Sequence, residues 1–254
     1  MKYTLKKSLG QHFLHDEHMC QRIVAQVTHR PGMQLLEIGP GGGAITKYLY
    51  QWPDVTYRAV EVDAEKVAYL AHTYPGLKDK IIEADVLKVA VPFEGNFSVA
   101  GNFPYNISSP ILFRVLEWEQ QVDEVIGMFQ KEVAQRVAAG PGSRTYGILS
   151  VLMQAFFAVD YLFDVPPGCF TPPPKVMSGV LRFTNLHNPH GITDKKAFIR
   201  LVKAAFGQRR KTLRNALKGT LPPEMLQQEI MTLRAEQLSV AQFVALFKEW
   251  KPAE

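Results

Sequence analysis

The chain has 254 residues, of which 46% are apolar and 21% are charged. This length and composition are typical of an ordinary soluble globular protein, built as one large domain or as one domain with an appendage. The net charge of +5 is concentrated in one segment: residues 195–218 contain nine basic residues and no acid, whereas the rest of the chain has 20 basic and 24 acidic residues.

The sequence shows neither a membrane span nor a secretory signal. Its first eleven residues, MKYTLKKSLGQ, contain lysines but lack the apolar core of a signal peptide. The longest apolar stretch, residues 146–159, is too short to cross a bilayer and contains Gln154, so we expect a buried helix there. Cys20 and Cys169 lie far apart with no CxxC motif, which indicates reduced thiols and a cytoplasmic protein.

Short apolar runs alternate with helical patterns between residues 34 and 129. The runs suited to buried parallel strands are residues 34–38, 57–62, 80–84, 97–100 and 125–129. Helical patterns between them include residues 64–73 and 110–118, and the second of these is expected to open with Ser109 as its cap and Pro110 in its first turn. The alternation predicts a doubly wound, Rossmann-like α/β sheet.

Glycines follow the first predicted strand, and acids stand at the ends of the next two. The turn LEIGPGGG contains Gly39, where the backbone can approach a ligand at the mouth of the sheet. Glu61 is positioned to accept hydrogen bonds from ribose hydroxyls, and Asp85 suits an adenine amino group. The glycine turn and Glu61 alone do not separate a nicotinamide cofactor from S-adenosyl-L-methionine. Asp85, and acids in place of an arginine clamp, favour a cofactor without phosphates, which we predict to be S-adenosyl-L-methionine. For each feature alone, the alternative is a structural turn or an exposed acid.

The fourth predicted strand ends in GNFPYNISSP, residues 101–110. The side-chain oxygen of Asn102 and the carbonyl of Phe103 or Pro104 could accept the two N–H bonds of an adenine amine, while Tyr105 stacks on the base. Such a clamp would aim the nitrogen lone pair at a methyl donor, so that positioning supplies most of the rate. The alternative is a strand-to-helix turn with a purely structural role.

The character of the chain changes after residue 183. We predict a methyltransferase domain at residues 1–184, a polar linker at 185–194 and a small basic helical domain at 195–254. The basic segment is a candidate surface for a polyanion, and its alternative is a solvated helix face. The candidate RNA-binding residues within it are Arg209, Arg210, Lys211 and Arg214.

A histidine-rich segment near the N-terminus offers a competing interpretation. His12, His15 and His18, with Cys20, could be taken for a metal cluster. The histidines straddle residues 13–14 and show neither a CxxC nor an HxxxH pattern, so we predict no metal site.

Five motifs give the chain a specific resemblance over essentially its whole length. They are SLGQHFL (residues 8–14), EIGPG (37–41), NFPYNIS (102–108), QKEV (130–133) and FTPPPKV (170–176). In this order they resemble the bacterial small-subunit rRNA adenine dimethyltransferases of the KsgA (RsmA) family. That family transfers four methyl groups from S-adenosylmethionine to two adjacent adenines in the 3′-terminal hairpin loop of 16S rRNA.

The resemblance implies a role for each matching residue. The residues it assigns to the cofactor are His12, Leu14, Gly39, Glu61, Asp85 and Asn102. The residues it assigns to the target base are Asn102, Pro104, Tyr105 and, as a second stacking partner, Phe170. It also implies a monomer that acts on 16S rRNA within an immature small ribosomal subunit, away from membranes. Where the family usually has Leu and often has Asn, this chain has Phe103 and His12, and neither change removes a required group.

Three other functions are alternatives to this one. A non-catalytic ribosome-assembly or nucleic-acid-binding protein on the same scaffold would be expected to have lost Glu61, Asp85 or Asn102, and all three are present. The function of a nicotinamide-dependent oxidoreductase would not explain the amide, the proline and the aromatic ring at residues 102–105. The dimethyltransferases that act on large-subunit rRNA share the chemistry, but the 170–176 motif and the basic segment favour the small subunit.

Overall fold

The computed structural model of the chain describes residues 12–251. These residues form two compact units. The first comprises the described residues up to Ala134 together with Asp160–Asn185, and the second comprises Gln135–Val159 and the described residues from Leu186 onward. None of the described helices is long and apolar enough to cross a membrane.

The first unit is built around a sheet of seven strands. These are β2 (Gln34–Ile38), β3 (Thr56–Glu61), β4 (Ile81–Glu83), β5 (Phe97–Asn102), β6 (Val122–Gln130), β7 (Phe157–Val165) and β9 (Ser178–Asn185). Their order across the sheet is β4-β3-β2-β5-β6-β9-β7. Strands β2 to β6 pair in parallel, and β9 runs antiparallel to β6. A separate pair joins β1 (Phe13–Leu14) to β8 (Phe170–Thr171).

Helices connect β2 to β3, β3 to β4 and β5 to β6, whereas the chain runs from β4 to β5 without a helix. The helices are α1 (Glu17–Val24), α2 (Thr46–Leu49), α3 (Ala64–Thr73), α4 (Ser108–Glu117), α5 (Lys131–Ala138), α6 (Ile148–Gln154), α7 (Lys195–Gly207), α8 (Leu213–Ala216) and α9 (Val240–Trp250). Asp63 caps α3 by accepting the N–H of Glu65, and Ser239 caps α9 by accepting the N–H of Gln242. The predicted Rossmann-like α/β sheet is therefore present.

The strand order places a switch point between β2 and β5. The chain builds outward from β2 through β3 to β4, and then returns to the other side of β2 with β5. In open α/β sheets, ligands bind at the carboxyl ends of the strands where the order reverses. The turns after β2 and β5 therefore meet at one crevice, and these are the turns that carry Gly39 and Asn102.

Two local predictions require correction. Helix α4 begins at Ser108, two residues earlier than expected, and no side chain caps it, so Ser109 is not its cap. Pro110 is its third residue, where the missing N–H still has no intrahelical partner to lose. The apolar stretch 146–159 forms the buried helix α6, but its last residues begin strand β7. An apolar run fits a buried helix and a buried strand equally well, so periodicity alone does not separate them.

The boundaries of the two compact units differ from the predicted domain boundaries at residues 184 and 195. Residues 135–159, which the sequence assigned to the first domain, group with the C-terminal residues because α6 packs against α7 and α9. Aromatic contacts reinforce this grouping, with the rings of Phe156 and Phe198 6.4 Å apart. The predicted roles of the domains at 1–184 and 195–254 remain predictions.

Candidate active site

A cleft of about 280 Å³ lies in the first unit. It brings together most of the predicted site residues, although they come from five separate stretches of sequence. The predicted residues that line it are His12, Leu14, Gly39, Glu61, Asp85, Asn102, Pro104 and Tyr105. Residues 8–11 of the first motif lie outside the described residues. The cleft is a single place where the predicted cofactor and target-base residues converge.

One wall of the cleft is the turn after β2. Gly39 and Gly41 adopt φ angles of 68° and 58°, a left-handed conformation that favours glycine. The N–H of Gly39 bonds to the carbonyl of Val60 at 2.9 Å, which ties the turn to β3. A Cβ atom on Gly39 would lie 3.6 Å from Cδ of Pro104, so this glycine brings the two functional turns into close approach.

Glu61 ends β3 with its carboxylate almost fully enclosed. Oε2 accepts the N–H of Gly41 at 3.1 Å, and Oε1 accepts the N–H groups of Val62 and Asp63 at 3.0 Å each. The side chain lines the cleft while the residue is only 6% exposed. A carboxylate has about four acceptor positions, so Glu61 can hold the glycine turn in place and still accept a donor from a ligand.

Asp85 lies after β4 and is held less tightly. Oδ1 accepts the N–H of Leu87 at 3.0 Å, and Oδ2 lies 3.9 Å from Nζ of Lys88. The local turn orients the side chain, and its remaining acceptor positions are available at the edge of the cleft.

A third carboxyl group, which the sequence did not single out, lines the base of the cleft. Glu37 is fully buried at the end of β2, where Oε1 accepts the hydroxyl of Thr46 at 2.9 Å and Oε2 accepts that of Tyr57 at 2.5 Å. Burial raises the pKa of Glu37 to about 7; the two hydrogen bonds lower it, and the nearby Glu61 raises it. In the sequence, Glu37 could have been recognised as an acid inside an apolar strand, directly before the glycine turn.

The opposite wall is the turn after β5. Asn102 is the last residue of β5, and the N–H of Phe103 bonds to the carbonyl of Met128 at 3.2 Å. The N–H of Ile107 bonds to the carbonyl of Pro104 at 3.1 Å, which closes the turn before α4. The carbonyl of Phe103 remains a candidate acceptor for a ligand in the cleft.

The ring of Phe103 packs into the interior of the sheet. It is fully buried and makes an edge contact with the ring of Phe129, with centroids 5.1 Å apart. Cβ atoms placed on Gly101 and Gly127 would come within 2.5 Å and 2.6 Å of this ring. The two glycines make the space that the larger side chain needs, so the departure from Leu is accommodated below the cleft.

Tyr105 is restrained from two sides. Its hydroxyl lies 2.6 Å from Oγ of Ser178, and its ring centroid lies 5.6 Å from that of His12. Burial raises the pKa of Tyr105, and the hydrogen bond with Ser178 lowers it. The net shift is upward, so the phenol remains protonated at neutral pH.

The pairing of β1 with β8 brings the first and last motifs together. Leu14 pairs with Phe170, and Nδ1 of His12 lies 2.8 Å from the carbonyl oxygen of Pro172. Phe170 itself is only 2% exposed, belongs to the hydrophobic core and is not among the described residues that line the cleft. Its predicted stacking role would require its side chain to move from this position.

Two further lining residues were missed by the sequence analysis. Val62, directly after Glu61, is 58% exposed at the mouth of the cleft. Lys66 is 5% exposed in the first turn of α3, with Nζ 3.9 Å from where a Cβ of Gly41 would lie. In the sequence, Val62 could have been recognised as an apolar residue directly after the acid that ends a strand. Lys66 gave no such signal, because a lysine in a helix normally indicates a solvated position.

The four candidate RNA-binding residues lie together in the second unit but in different environments. Arg209 is engaged within the unit, because its guanidinium donates to the carbonyls of Arg144 at 2.5 Å and Tyr146 at 3.3 Å and lies 3.5 Å from Glu236. Nε of Arg214 donates to the carbonyl of Leu226 at 3.0 Å. Arg210 and Lys211 are exposed in the bend between α7 and α8.

The N-terminal histidines have other contacts. Nδ1 of His15 lies 2.9 Å from the hydroxyl of Thr171, and that of His12 faces Pro172. Within residues 12–251, no three His, Cys, Asp or Glu side chains come together in a way that could hold a metal ion.

Comparison with known proteins identifies the family. The model for ribosomal RNA adenine dimethylases matches residues 2–251. The chain belongs to the ribosomal RNA adenine dimethylase family. It is 49% identical over 249 residues to the ribosomal RNA small subunit methyltransferase A of Cytophaga hutchinsonii, which covers 96% of each chain. It is 47% identical over 253 residues to the protein of the same name from Bacteroides thetaiotaomicron, which covers 98% of this chain and 94% of that one.

Solved structures agree with the dimethylase fold. A dimethyladenosine transferase from Plasmodium falciparum superimposes with a TM-score of 0.80 at 22% identity, covering 94% of this chain and 97% of that one. The 23S rRNA methyltransferase ErmE superimposes with a TM-score of 0.69 at 22% identity, covering 92% and 98%. The resemblance found in the sequence and the predicted methyltransferase fold are confirmed. The chain is an enzyme of the dimethylase family, which excludes the oxidoreductase interpretation.

Proposed function

We propose that the protein transfers four methyl groups from S-adenosyl-L-methionine to the N6 atoms of two adjacent adenines in the 3′-terminal hairpin loop of 16S rRNA. The observation that carries this proposal is the convergence of Glu61, Asp85 and the 102–105 turn on one cleft. The matching relatives are named as small-subunit rRNA methyltransferases, which supports the same substrate.

The residues of the cleft fit the proposed cofactor. Glu61 and Asp85 offer carboxylate acceptors to the ribose hydroxyls and the adenine amino group, and the left-handed backbone at Gly39 and Gly41 leaves room for close approach. Val62 offers an exposed apolar surface beside them. When bound, S-adenosylmethionine supplies an electrophilic methyl group on a sulfonium. A cleft lined by carboxylates suits such a cation better than it suits a phosphate.

The turn after β5 would hold the target adenine. The side-chain oxygen of Asn102 and the carbonyl of Phe103 or Pro104 would accept the two N–H bonds of the exocyclic amine. Tyr105 would stack on the base and fix its plane, and a shifted Phe170 would cover the other face. The base must leave its own stack to reach this position. Orientation of the amine, rather than a general base, would supply most of the acceleration.

The exposed cations of the second unit would contact the rRNA backbone. Arg210 and Lys211 have charged groups free to reach phosphates, whereas Arg209 and Arg214 would have to share theirs with backbone carbonyls. We further propose that the substrate is an immature small ribosomal subunit and that the protein acts on it as a cytoplasmic monomer.

The experiment that tests the proposal is mass spectrometry of 16S rRNA. Small subunits that lack the modification would be incubated with the protein and labelled S-adenosylmethionine, and the rRNA would be digested and sequenced. Four labelled methyl groups on two adjacent adenines are expected, and far less label is expected with the Asn102→Ala variant over the same incubation time. Label in 23S rRNA alone, or on another base, would contradict the proposal.

A further inference from the structure

Tyr105 and Ser178 are 73 residues apart in the sequence, yet their hydroxyl oxygens lie 2.6 Å apart. We propose that Ser178 is a positioning residue for methyl transfer, which holds the ring of Tyr105 in the plane that the target base stacks on. This inference rests on the role given to Tyr105 in the proposed function. Ser178 is not among the described residues that line the cleft, so we place it behind Tyr105 and not against the base.

The environment of Ser178 makes it a fixed anchor. It is fully buried as the first residue of β9 and stands opposite Gln130 of β6 in the sheet register. The residue before it, Met177, accepts the N–H of Lys131 at 2.9 Å. The backbone of Ser178 is therefore fixed by sheet pairing, which limits how far its hydroxyl can follow a moving ring.

The packing around the next residue restricts the strand further. A Cβ on Gly179 would lie 2.5 Å from the hydroxyl of Tyr161 and 3.0 Å from Cβ of Ala134. That tyrosine hydrogen-bonds to Asp164, which pairs with Nζ of Lys131 at 2.5 Å. A strand start packed this closely is suited to hold one contact at a constant distance, which is what orientation of a substrate requires.

Tyr105 needs such an anchor because it lies in a turn and faces a cleft. Its ring must present one flat face to a base, and the ring contact with His12 alone does not fix the phenol tip. The protonated phenol and the serine hydroxyl can each act as donor or acceptor, so the bond is maintained without a charge. Loss of either hydroxyl would free the ring to tilt.

The test is a double-mutant cycle on Ser178→Ala and Tyr105→Phe, assayed by single-turnover methylation of unmodified small subunits. Each variant removes one partner of the bond, and Tyr105→Phe keeps the stacking ring. We expect each to slow methyl transfer by about tenfold, and the double variant to be no slower than either single variant. The share of monomethyladenine should rise, because the second transfer depends more on ring placement, while cofactor affinity stays unchanged.

Ser98→Ala is the matched control. Ser98 is a buried serine on β5 whose hydroxyl has no hydrogen-bond partner among the described residues, so its loss should change neither rate nor product ratio. The inference would be overturned if the rate losses of the two single variants multiplied in the double variant. A normal rate and product ratio for Ser178→Ala would also overturn it. If the wild-type protein methylates adenine and Tyr105→Ala is impaired while Ser178→Ala is not, only this inference fails. If the wild-type protein leaves rRNA adenine unmethylated, the proposed function fails.

Discussion

The carboxylate of Glu61 joins β3 to the glycine turn after β2, because its Oε2 accepts the N–H of Gly41 at 3.1 Å while the residue itself ends β3. One side chain therefore shapes the glycine turn and also offers acceptor positions to a ligand. Under the proposed function, cofactor binding should therefore be sensitive to substitution of Glu61.

We expect Glu61→Ala to weaken binding of S-adenosylmethionine by at least about tenfold. A hydrogen bond to a charged group is worth roughly 1.5–3 kcal/mol, and each 1.4 kcal/mol corresponds to about a factor of ten in affinity. Isothermal titration calorimetry would measure the change. Glu83→Ala is the control, since Glu83 pairs with Glu61 in the register of β3 and β4 but is exposed outside the cleft. An unchanged dissociation constant for Glu61→Ala would reject the assignment.

Phe103→Leu should reduce stability and leave methyl transfer nearly intact. The substitution removes ring atoms from the space above Gly101 and Gly127, and the resulting cavity should lower the free energy of unfolding by about 1–2 kcal/mol. The backbone carbonyl of Phe103, the proposed acceptor, is unchanged. Thermal unfolding and single-turnover rates would be compared with those of Phe97→Leu, a fully buried residue at the start of β5. A rate loss found only with Phe103→Leu would mean that its ring shapes the site.

Glu37 should make stability fall as the pH rises. Its folded pKa of about 7 lies above the ordinary value of 4.5, so between these values the folded state binds more protons than the unfolded state. The contribution is absent below about pH 4.5 and reaches about 3 kcal/mol of destabilisation above pH 7. Denaturant unfolding of the wild type and Glu37→Gln should show the stability difference moving in favour of the variant between these limits. A difference that does not vary with pH would mean that folding leaves the pKa of Glu37 unchanged.

The basic segment gives two separate predictions, one for Arg210 and Lys211 and one for Arg209. Arg210→Ala with Lys211→Ala should lower the slope of log affinity for rRNA against log salt by roughly 1.4–1.8, since each phosphate contact contributes about 0.7–0.9. Cofactor affinity and melting temperature should not change. Arg209→Ala, in contrast, should lower the melting temperature, because it removes hydrogen bonds to the carbonyls of Arg144 and Tyr146. If the double substitution leaves the salt slope unchanged, residues 210 and 211 form a solvated surface.

The parallel half of the sheet and its turns could be predicted from sequence because their signals are local. Each apolar run before Gly39, Glu61 or Asn102 ends at a polar or glycine position, and parallel strands place those ends at one edge. The pairing of β9 with β6 and the contact between Ser178 and Tyr105 link distant stretches of the chain, so no local pattern reports them. The burial of Phe170 was missed for the same reason, since it depends on pairing with Leu14.

The first half of the clamp prediction concerns Asn102. Its side-chain oxygen would accept one N–H of the unmodified amine, and a backbone carbonyl would accept the other. Asn102→Ala should therefore slow both methyl transfers by about 100-fold or more, since the lost contact acts chiefly in the transition state. Near-normal dimethylation by this variant would end the clamp hypothesis.

The second half concerns Tyr105, and the expected change is in the products. After the first transfer only one N–H remains, so the nitrogen is held by one acceptor and by stacking of the base. Tyr105→Ala removes the stacking surface and should raise the share of monomethyladenine, whereas Asn102→Ala slows both steps. Single-turnover assays that resolve mono- and dimethyladenine would separate the two patterns, with Ser98→Ala as the variant expected to match the wild type. If Tyr105→Ala produces dimethyladenine at the wild-type ratio, the base is oriented by contacts other than this ring.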